Sequence, residues 1–289
     1  MKTKVITRFA PSPTGPLHLG HAFAATVAHD MARAAGGDFL LRIEDIDQTR
    51  ARPEWEALIK EDLLWLGLRW DGPIMRQSDR MPAYSAALRG LWARGLIYDC
   101  HCSRRDILDA AAAPQEGATP PIGPDGPVYP GTCRRDHDGA APLPQQALRL
   151  NMARALQTLS NPLTFTETGT VRNIQSGLQH IDTEYLLDSV GDVVLARRDM
   201  GTSYHLSVVL DDAAQQITHV TRGADLFEAT PIHVLLQRLL GLPTPIYHHH
   251  RLIRDDRGKR LAKRDDARAI ATYRAEGKTP DQVWQMINT

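Results

Sequence analysis

Residues 8–21 read Arg8-Phe9-Ala10-Pro11-Ser12-Pro13-Thr14-Gly15-Pro16-Leu17-His18-Leu19-Gly20-His21. Lys4 to Phe9 ahead of them reads as a short strand, and Pro11, Pro13 and Pro16 forbid a regular helix in the loop that follows. Helical spacing then runs from about His21 to Ala35, with Phe23, Val27 and Met31 on one stripe, and Gly36-Gly37 ends it. Asp38 to Ile43 reads as a second strand. Strand, loop, helix and strand make a βαβ unit, and sheets built this way bind ligands beyond the carboxyl ends of their strands.

The loop delivers His18-Leu19-Gly20-His21 to the mouth of the helix. Imidazoles can donate to phosphate oxygens and favour charge that develops on them. Gly20 leaves room for a flat ring such as adenine against the backbone. The helix adds its unpaired N–H groups and the positive end of its dipole. Two histidines three apart are ordinary at a helix start; the eight-residue lead-in and the βαβ context are what make a nucleotide site the better reading.

Two further stretches carry charge. Leu41-Arg42-Ile43-Glu44-Asp45-Ile46-Asp47-Gln48-Thr49-Arg50 leaves the second strand with three carboxylates and two arginines, where the bland alternative is an acid-rich helix start. Far downstream, Lys259-Arg260-Leu261-Ala262-Lys263-Arg264 follows Gly258. From Arg251 to Arg268 there are eight Lys/Arg against four Asp, with His248, His249 and His250 just before. A cationic loop flanked by glycine and aspartates suits a segment that closes on a triphosphate.

The remaining pattern is coarser. Trp55 to Leu66 and Tyr84 to Leu96 read as amphipathic helices. Eight prolines between Pro114 and Pro144 mark an irregular insert. Val193 to Ala196 and Thr202 to Leu206, around Asp199-Met200-Gly201, read as a hairpin. Ile217 to Thr221 reads as a strand. Thr230-Pro231 reads as the capped start of a helix that Gly241 closes, and Thr279-Pro280 repeats that start.

The 289 residues, 42% hydrophobic, suffice for one large domain or two smaller ones. The 34 basic and 34 acidic residues cancel, which argues against indiscriminate nucleic-acid binding through bulk charge. No run of about 18 apolar residues appears and no signal segment opens the chain, so the expectation is a cytoplasmic protein without membrane contact; a monomer is expected as well. Three cysteines fall at Cys100, Cys102 and Cys133, with Tyr129 between. Disulfides are not expected there, and three sulfurs offer part of a tetrahedral zinc shell, although the C-x-C spacing is unusual. From the residues alone, His101 and Tyr129 both remain candidates for the fourth position.

The histidine motif and the basic loop together resemble the two signatures of class I aminoacyl-tRNA synthetases. The Arg8–Gly15 lead-in and the Leu41–Asp47 stretch are similar to the glutamyl branch, with Ile46 where that branch has Thr. The resemblance implies an α/β, Rossmann-like catalytic domain carrying a zinc-bearing insert. It implies that His18, His21 and Lys263 act in catalysis, and that His18, Gly20, His21, Arg260 and Lys263 hold ATP. It implies that Arg8, Phe9, Ala10, Pro11, Ser12, Glu44, Tyr204 and Arg222 bind glutamate, with Arg8 on the side-chain carboxylate and Glu44 on the ammonium. Ala262 replaces a Ser of the loop signature, and Val208 stands where the glutamyl enzymes carry Asn.

The Cys-x-Cys and Tyr-x₃-Cys set is similar to that of the short glutamyl-Q tRNA(Asp) synthetase family. By that likeness Cys100, Cys102, Tyr129 and Cys133 hold one structural Zn2+. Only 25 residues follow Arg264, too few for helical anticodon-reading domains. The expected organisation is a first catalytic half over 1–98, the insert over 99–190, a second half over 191–250, and the loop with short helices over 251–289. The family implies tRNA-independent activation of L-glutamate with ATP and Mg2+, then transfer to queuosine in the anticodon of tRNA(Asp). The alternatives are a standard glutamyl-tRNA synthetase charging a tRNA 3′ end, a non-catalytic amino-acid or nucleotide-binding regulator, and a zinc-dependent RNA-binding module.

Overall fold

The computed structural model describes residues 4–112, 121–254 and 268–288. In chain order the first unit is β1 (Ile6–Phe9), α1 (Leu19–Ala34), β2 (Asp38–Ile43), α2 (Pro53–Trp65) and β3 (Met75–Arg76). The three strands lie parallel in the order β1-β2-β3, with Ile6 opposite Asp38 and Phe9 opposite Leu41. The βαβ unit read from the sequence is therefore present. Its helix buries a different stripe from the one expected: Ala22, Ala25, Ala28 and Ala32, rather than Phe23, Val27 and Met31. Small side chains let the helix lie close to the sheet, close enough for Thr7 Oγ1 to donate to the Ala28 carbonyl at 2.7 Å.

Next come α3 (Met81–Ala93), β4 (Ile97–Cys100), α4 (Arg104–Ala112), the small hairpin β5 (Ile122–Gly123) and β6 (Gly126–Pro127), β7 (Ala147–Leu150), α5 (Met152–Gln157), β8 (Thr164–Glu167) and β9 (Gly177–His180). A turn of helix, α6 (Thr183–Tyr185), runs into a π-helical stretch over Leu186–Val190. β10 (Val194–Ala196), α7 (Tyr204–Ala214), β11 (His219–Gly223), α8 (Thr230–Leu240), β12 (Ile246–His250), α9 (Ile270–Ala275) and α10 (Pro280–Asn288) complete the described elements.

β4, β7 and β10 form one antiparallel sheet. β8 instead pairs in parallel with β12, which pairs in parallel with β11. The stretch 99–190 thus shares strand pairing with the chain on either side of it. β11 lies beside β1: the Thr218 amide donates to the Ile6 carbonyl at 3.0 Å, and the Arg8 guanidinium reaches the Thr221 carbonyl at 3.1 Å. The β3-β2-β1 sheet and the β11-β12-β8-β9 sheet thus meet edge to edge at β1 and β11, where the strand order switches from one side to the other. A crevice opens at such a switch point, at the carboxyl ends of the strands.

Two apolar clusters hold these layers. One joins α1, β2 and α2 to α9 and α10 through Ala25, Leu41, Leu63, Ile270, Tyr273 and Val283. The other joins α3, the insert sheet, α7 and α8 through Leu91, Leu150, Leu195, Val208, Leu236 and Tyr247.

Two local readings are corrected. Residues 202–206 do not form a hairpin strand: Ser203 is the N-cap of α7, its Oγ accepting from the Leu206 amide at 3.4 Å. A five-residue alternation is outweighed by a capped helix that buries seven residues. Thr230 is not the cap of α8 but lies in its first turn after Ala229, and its hydroxyl is used elsewhere. Gly241 does close α8, in the left-handed conformation at φ 66°.

Candidate active site and metal centre

His18 is the N-cap of α1. Its Nδ1 accepts from the Gly20 amide at 3.1 Å, and its own amide donates to His21 Nδ1 at 3.2 Å, a capping box built from two imidazoles. The ring centroids are 3.8 Å apart. With both Nδ1 atoms accepting, each neutral ring carries its proton on Nε2, the donor a phosphate oxygen needs. A Cβ at position 20 would come within 3.0 Å of the His18 ring, so glycine is what lets the imidazole cap the helix.

The basic segment leaves and rejoins the described structure on the same helix. Before it, the Arg251 guanidinium lies 4.8 Å over the Phe23 ring of α1. After it, Ala269 bridges to His18 and the Ile270 amide donates to the Leu17 carbonyl at 2.8 Å. Arg260, Ala262 and Lys263 themselves lie outside the described residues.

At the switch point, Arg8 on β1 and Arg42 on β2 share Asp212 of α7. Arg8 Nε donates to Oδ1 at 2.9 Å and Arg42 Nη1 to the same oxygen at 2.7 Å. Arg42 Nη2 also donates to Glu44 Oε1 at 3.1 Å. Burial would raise the Asp212 pKa, but the two guanidiniums prevail and hold it below the usual carboxylate range. Burial pushes Glu44 up, against the pull of Arg42 and Arg8. The Glu44 amide donates to the Pro11 carbonyl at 3.0 Å, which ties the loop after β1 to the exit of β2. Phe9 and Pro11 are buried there, Ala10 is half-buried, and Ser12 is exposed.

Tyr204, in the first turn of α7, has its ring 5.6 Å from that of His233, which accepts from Arg222, while Arg8 reaches the Thr221 carbonyl next to Arg222 and is joined through Asp212 and Arg42 to Glu44. Arg222 on β11 is held from behind. Its Nε donates to His249 Nε2 at 3.1 Å, Nη1 to His233 Nδ1 at 2.8 Å, and Nη2 to Thr230 Oγ1 at 2.6 Å. Arg8, Glu44, Tyr204 and Arg222 therefore converge. Val208, on the same helix as Tyr204, faces the apolar core instead.

The cysteines form a separate cluster. The sulfurs of Cys100, Cys102 and Cys133 lie within 4.8 Å of one another, with Cys102 and Cys133 at 3.5 Å. The Tyr129 hydroxyl is 3.5 Å from Cys100 Sγ and 3.4 Å from Cys102 Sγ. His101 turns away, its Nε2 lying 2.8 Å from Asp99 Oδ2. Arg149 stacks 4.0 Å over the Tyr129 ring and donates from Nε to Cys100 Sγ at 3.4 Å, a cation beside the sulfurs.

This arrangement has known counterparts. A family model described as tRNA synthetases class I (E and Q), catalytic domain, matches residues 4–288. A glutamyl-Q tRNA(Asp) synthetase of Rhodobacter capsulatus is 66% identical over 98% of this chain and 99% of its own length. The chain belongs to the glutamyl-Q tRNA(Asp) synthetase family. A second member, from Geobacter sulfurreducens, is 43% identical over 93% of the chain and 79% of its own length. Among solved structures, a glutamate tRNA ligase of Elizabethkingia meningosepticum, in complex with its amino acid, superposes with a TM-score of 0.75 at 28% identity. It matches 99% of this chain, which spans 60% of that longer protein. The α/β class I catalytic fold expected from the motifs is thereby established, and the chain is a ligase-type enzyme. Among the described residues no helix is long and apolar enough to cross a membrane.

Several residues that build the site escape a linear reading of the sequence. Arg42 and Asp212 are more than 150 positions apart and meet only because β2 and α7 flank the switch point. Arg42 left a trace, a charge between Leu41 and Ile43 in an apolar strand. His248, His249 and His250 precede the basic run, yet burial pushes their pKa down, so they add little charge to it. Glu167, His233 and His205 gave no signal.

Proposed function

We propose that this chain activates L-glutamate with ATP in the absence of tRNA, then transfers it to queuosine in the anticodon of tRNA(Asp). The observation that carries the reading is charge complementarity at the switch point. Free glutamate presents two carboxylates and one ammonium. Arg8 and Arg222 supply two buried guanidiniums, and Glu44, linked to Arg8 through Arg42 and Asp212, supplies one carboxylate, and an arginine fork grips a carboxylate with two parallel bonds.

On this reading His18, Gly20 and His21 meet the ATP phosphates at the start of α1, and Arg260 and Lys263 contribute cations to the same phosphates. The glutamate α-carboxylate attacks the α-phosphorus in line and pyrophosphate leaves, so positioning and charge stabilisation do the work and no protein nucleophile is required. Mg2+ would accompany ATP as part of the substrate and offset the charge of its phosphates. The queuosine cyclopentene hydroxyl next attacks the mixed anhydride and releases AMP. The names of the relatives, glutamyl-Q tRNA(Asp) synthetase, support glutamate and tRNA(Asp) as the substrates.

Cys100, Cys102, Tyr129 and Cys133 fit one Zn2+. A tetrahedral ion with Zn–S bonds of about 2.3 Å sets its sulfurs about 3.8 Å apart, close to the spacing of the cluster. Three thiolates would leave an excess of negative charge that Arg149 offsets. The role is structural, pinning the insert. Glutamate-dependent ATP–pyrophosphate exchange tests the activation step: exchange without tRNA is expected, and its absence in folded, zinc-loaded protein would refute the proposal.

A further inference from the structure

Behind Arg222 lies a buried line of imidazoles. His249 Nε2 accepts from Arg222 Nε, and His249 Nδ1 stands 2.5 Å from Glu167 Oε2. Glu167 is itself fixed, its Oε1 accepting from the amides of His249 at 2.9 Å and Gly169 at 2.6 Å. On the other side, His233 Nδ1 accepts from Arg222 Nη1, His233 Nε2 stands 3.0 Å from His205 Nδ1, and His205 Nε2 stands 3.1 Å from Asp125 Oδ1. Asp125 sits in the β5–β6 turn of the proline-rich insert.

The proton positions in this line follow from its ends. Arg222 can only donate, so His249 Nε2 and His233 Nδ1 must accept. Each neutral ring then carries its proton on the other nitrogen, toward Glu167 and toward His205. His205 in turn accepts on Nδ1 and donates from Nε2 to Asp125. Every ring has one tautomer compatible with its neighbours. A protonated His233 would aim an N–H at the Arg222 guanidinium, and burial and Arg222 both push its pKa well below the usual value.

Of the five guanidinium hydrogens on Arg222, three are used: Nε on His249, one of Nη1 on His233, and one of Nη2 on Thr230. Among the described residues the second hydrogen on each terminal nitrogen has no hydrogen-bond partner, and these two can donate side by side to a carboxylate. We propose that His249 and the His233–His205–Asp125 line are positioning residues. They hold Arg222 in the single orientation that presents these two hydrogens to a carboxylate of glutamate. Because Asp125 belongs to the insert, the docking of the β5–β6 hairpin is coupled to that orientation.

This inference rests on the reading of Arg222 as a glutamate contact, and the experiment separates the two. His205 does not touch Arg222, so His205→Leu probes the line rather than a contact. It strands the His233 Nε2 proton and favours the tautomer that points N–H at Arg222. KM for glutamate in pyrophosphate exchange should rise roughly tenfold, the loss of about one charge-assisted hydrogen bond, while KM for ATP stays within about twofold. His205→Asn, whose amide oxygen sits near the position of Nδ1, should restore KM for glutamate to within about threefold. Arg222→Lys serves as the control for the underlying reading, with a large rise in KM for glutamate expected. If Arg222→Lys raises KM and the folded His205→Leu does not, the positioning role is wrong. If the Leu and Asn variants are equally impaired, proton placement is not the cause and the proposal also fails. Should His205→Leu not fold, His233→Asn against His233→Gln replaces it. Asn keeps an acceptor where Nδ1 stands and Gln does not, so equal KM values would overturn the proposal. If Arg222→Lys leaves KM unchanged, the glutamate pocket itself has been misassigned.

Discussion

The Ile270 amide donates to the Leu17 carbonyl at 2.8 Å, one residue ahead of the helix-capping His18. The chain leaving the basic segment is thus stitched to the start of α1, and Arg251 on Phe23 fastens the chain entering it to the same helix. Two motifs some 240 positions apart share one anchor. Lys263→Ala should therefore lower kcat for glutamate activation by about 10²–10³, as loss of one charge-stabilising donor does, with KM for glutamate within about threefold. An unchanged exchange rate in a folded variant would remove Lys263 from the reaction.

How much of this was readable beforehand differs by scale. The βαβ unit was legible because Pro11, Pro13, Pro16 and Gly36-Gly37 punctuate it locally. The metal-like cluster was legible as a set of cysteines, but not its fourth member, since His101 and Tyr129 are separated only by where their side chains turn. The support behind Arg222 was not legible at all. Glu167, His205, His233 and His249 come from four elements: the pairing of β8, β11 and β12 brings Glu167 and His249 beside Arg222, and the packing of α7 on α8 brings in His205 and His233. The hairpin read over Val193 to Ala196 and Thr202 to Leu206 holds only in its first arm, because the turn signal Asp199-Met200-Gly201 serves equally well ahead of a helix, which Ser203 then caps.

Arg8→Gln should weaken glutamate far more than ATP. Arg8 is buried against Asp212, so the change removes a charge-assisted partner at a cost of about 1.5–3 kcal/mol. Asp212 keeps Arg42 at 2.7 Å, which limits the loss of fold stability. Steady-state exchange with each substrate varied in turn reads the two KM values; equal effects on both would argue against a glutamate-side role.

The pH dependence of glutamate binding follows from Glu44. Burial raises its pKa, so it takes up a proton at higher pH than an exposed carboxylate. As pH falls through that raised value the substrate ammonium loses its partner, and KM for glutamate should rise. Glu44→Gln should bind glutamate poorly at every pH and lose this acid limb. A retained acid limb in the variant would assign the titration to another group.

Asp62, on α2, supplies a stability test. Both its carboxylate oxygens are buried without a hydrogen-bond partner, Arg274 of α9 standing at 3.6 Å, and burial raises its pKa to about 6. A carboxyl whose folded pKa exceeds its unfolded value near 3.8 favours folding when protonated. Stability should therefore increase as pH falls from 8 through 6 toward 4, by at most about 3 kcal/mol from this group. Urea unfolding at several pH values should show this component in the native chain and not in Asp62→Asn.

Purified protein should hold one zinc per chain by elemental analysis. Cys100→Ser and Cys133→Ser should reduce it, and Tyr129→Phe should weaken its retention against a chelator. His101→Ala should retain zinc, because that ring faces Asp99 rather than the sulfurs. Loss of zinc from His101→Ala with retention in Tyr129→Phe would reverse the assignment of the fourth ligand.

In the proposed reaction, glutamate is transferred to an anticodon nucleoside and not to a tRNA 3′ end. The direct measurement uses labelled glutamate with ATP and two preparations of tRNA(Asp), one bearing queuosine and one lacking it. After incubation, nuclease digestion separates the anticodon from the acceptor end. Label confined to the anticodon fragment of the queuosine-bearing tRNA is the predicted result. Label at the 3′ end, or equal labelling of both preparations, would contradict it.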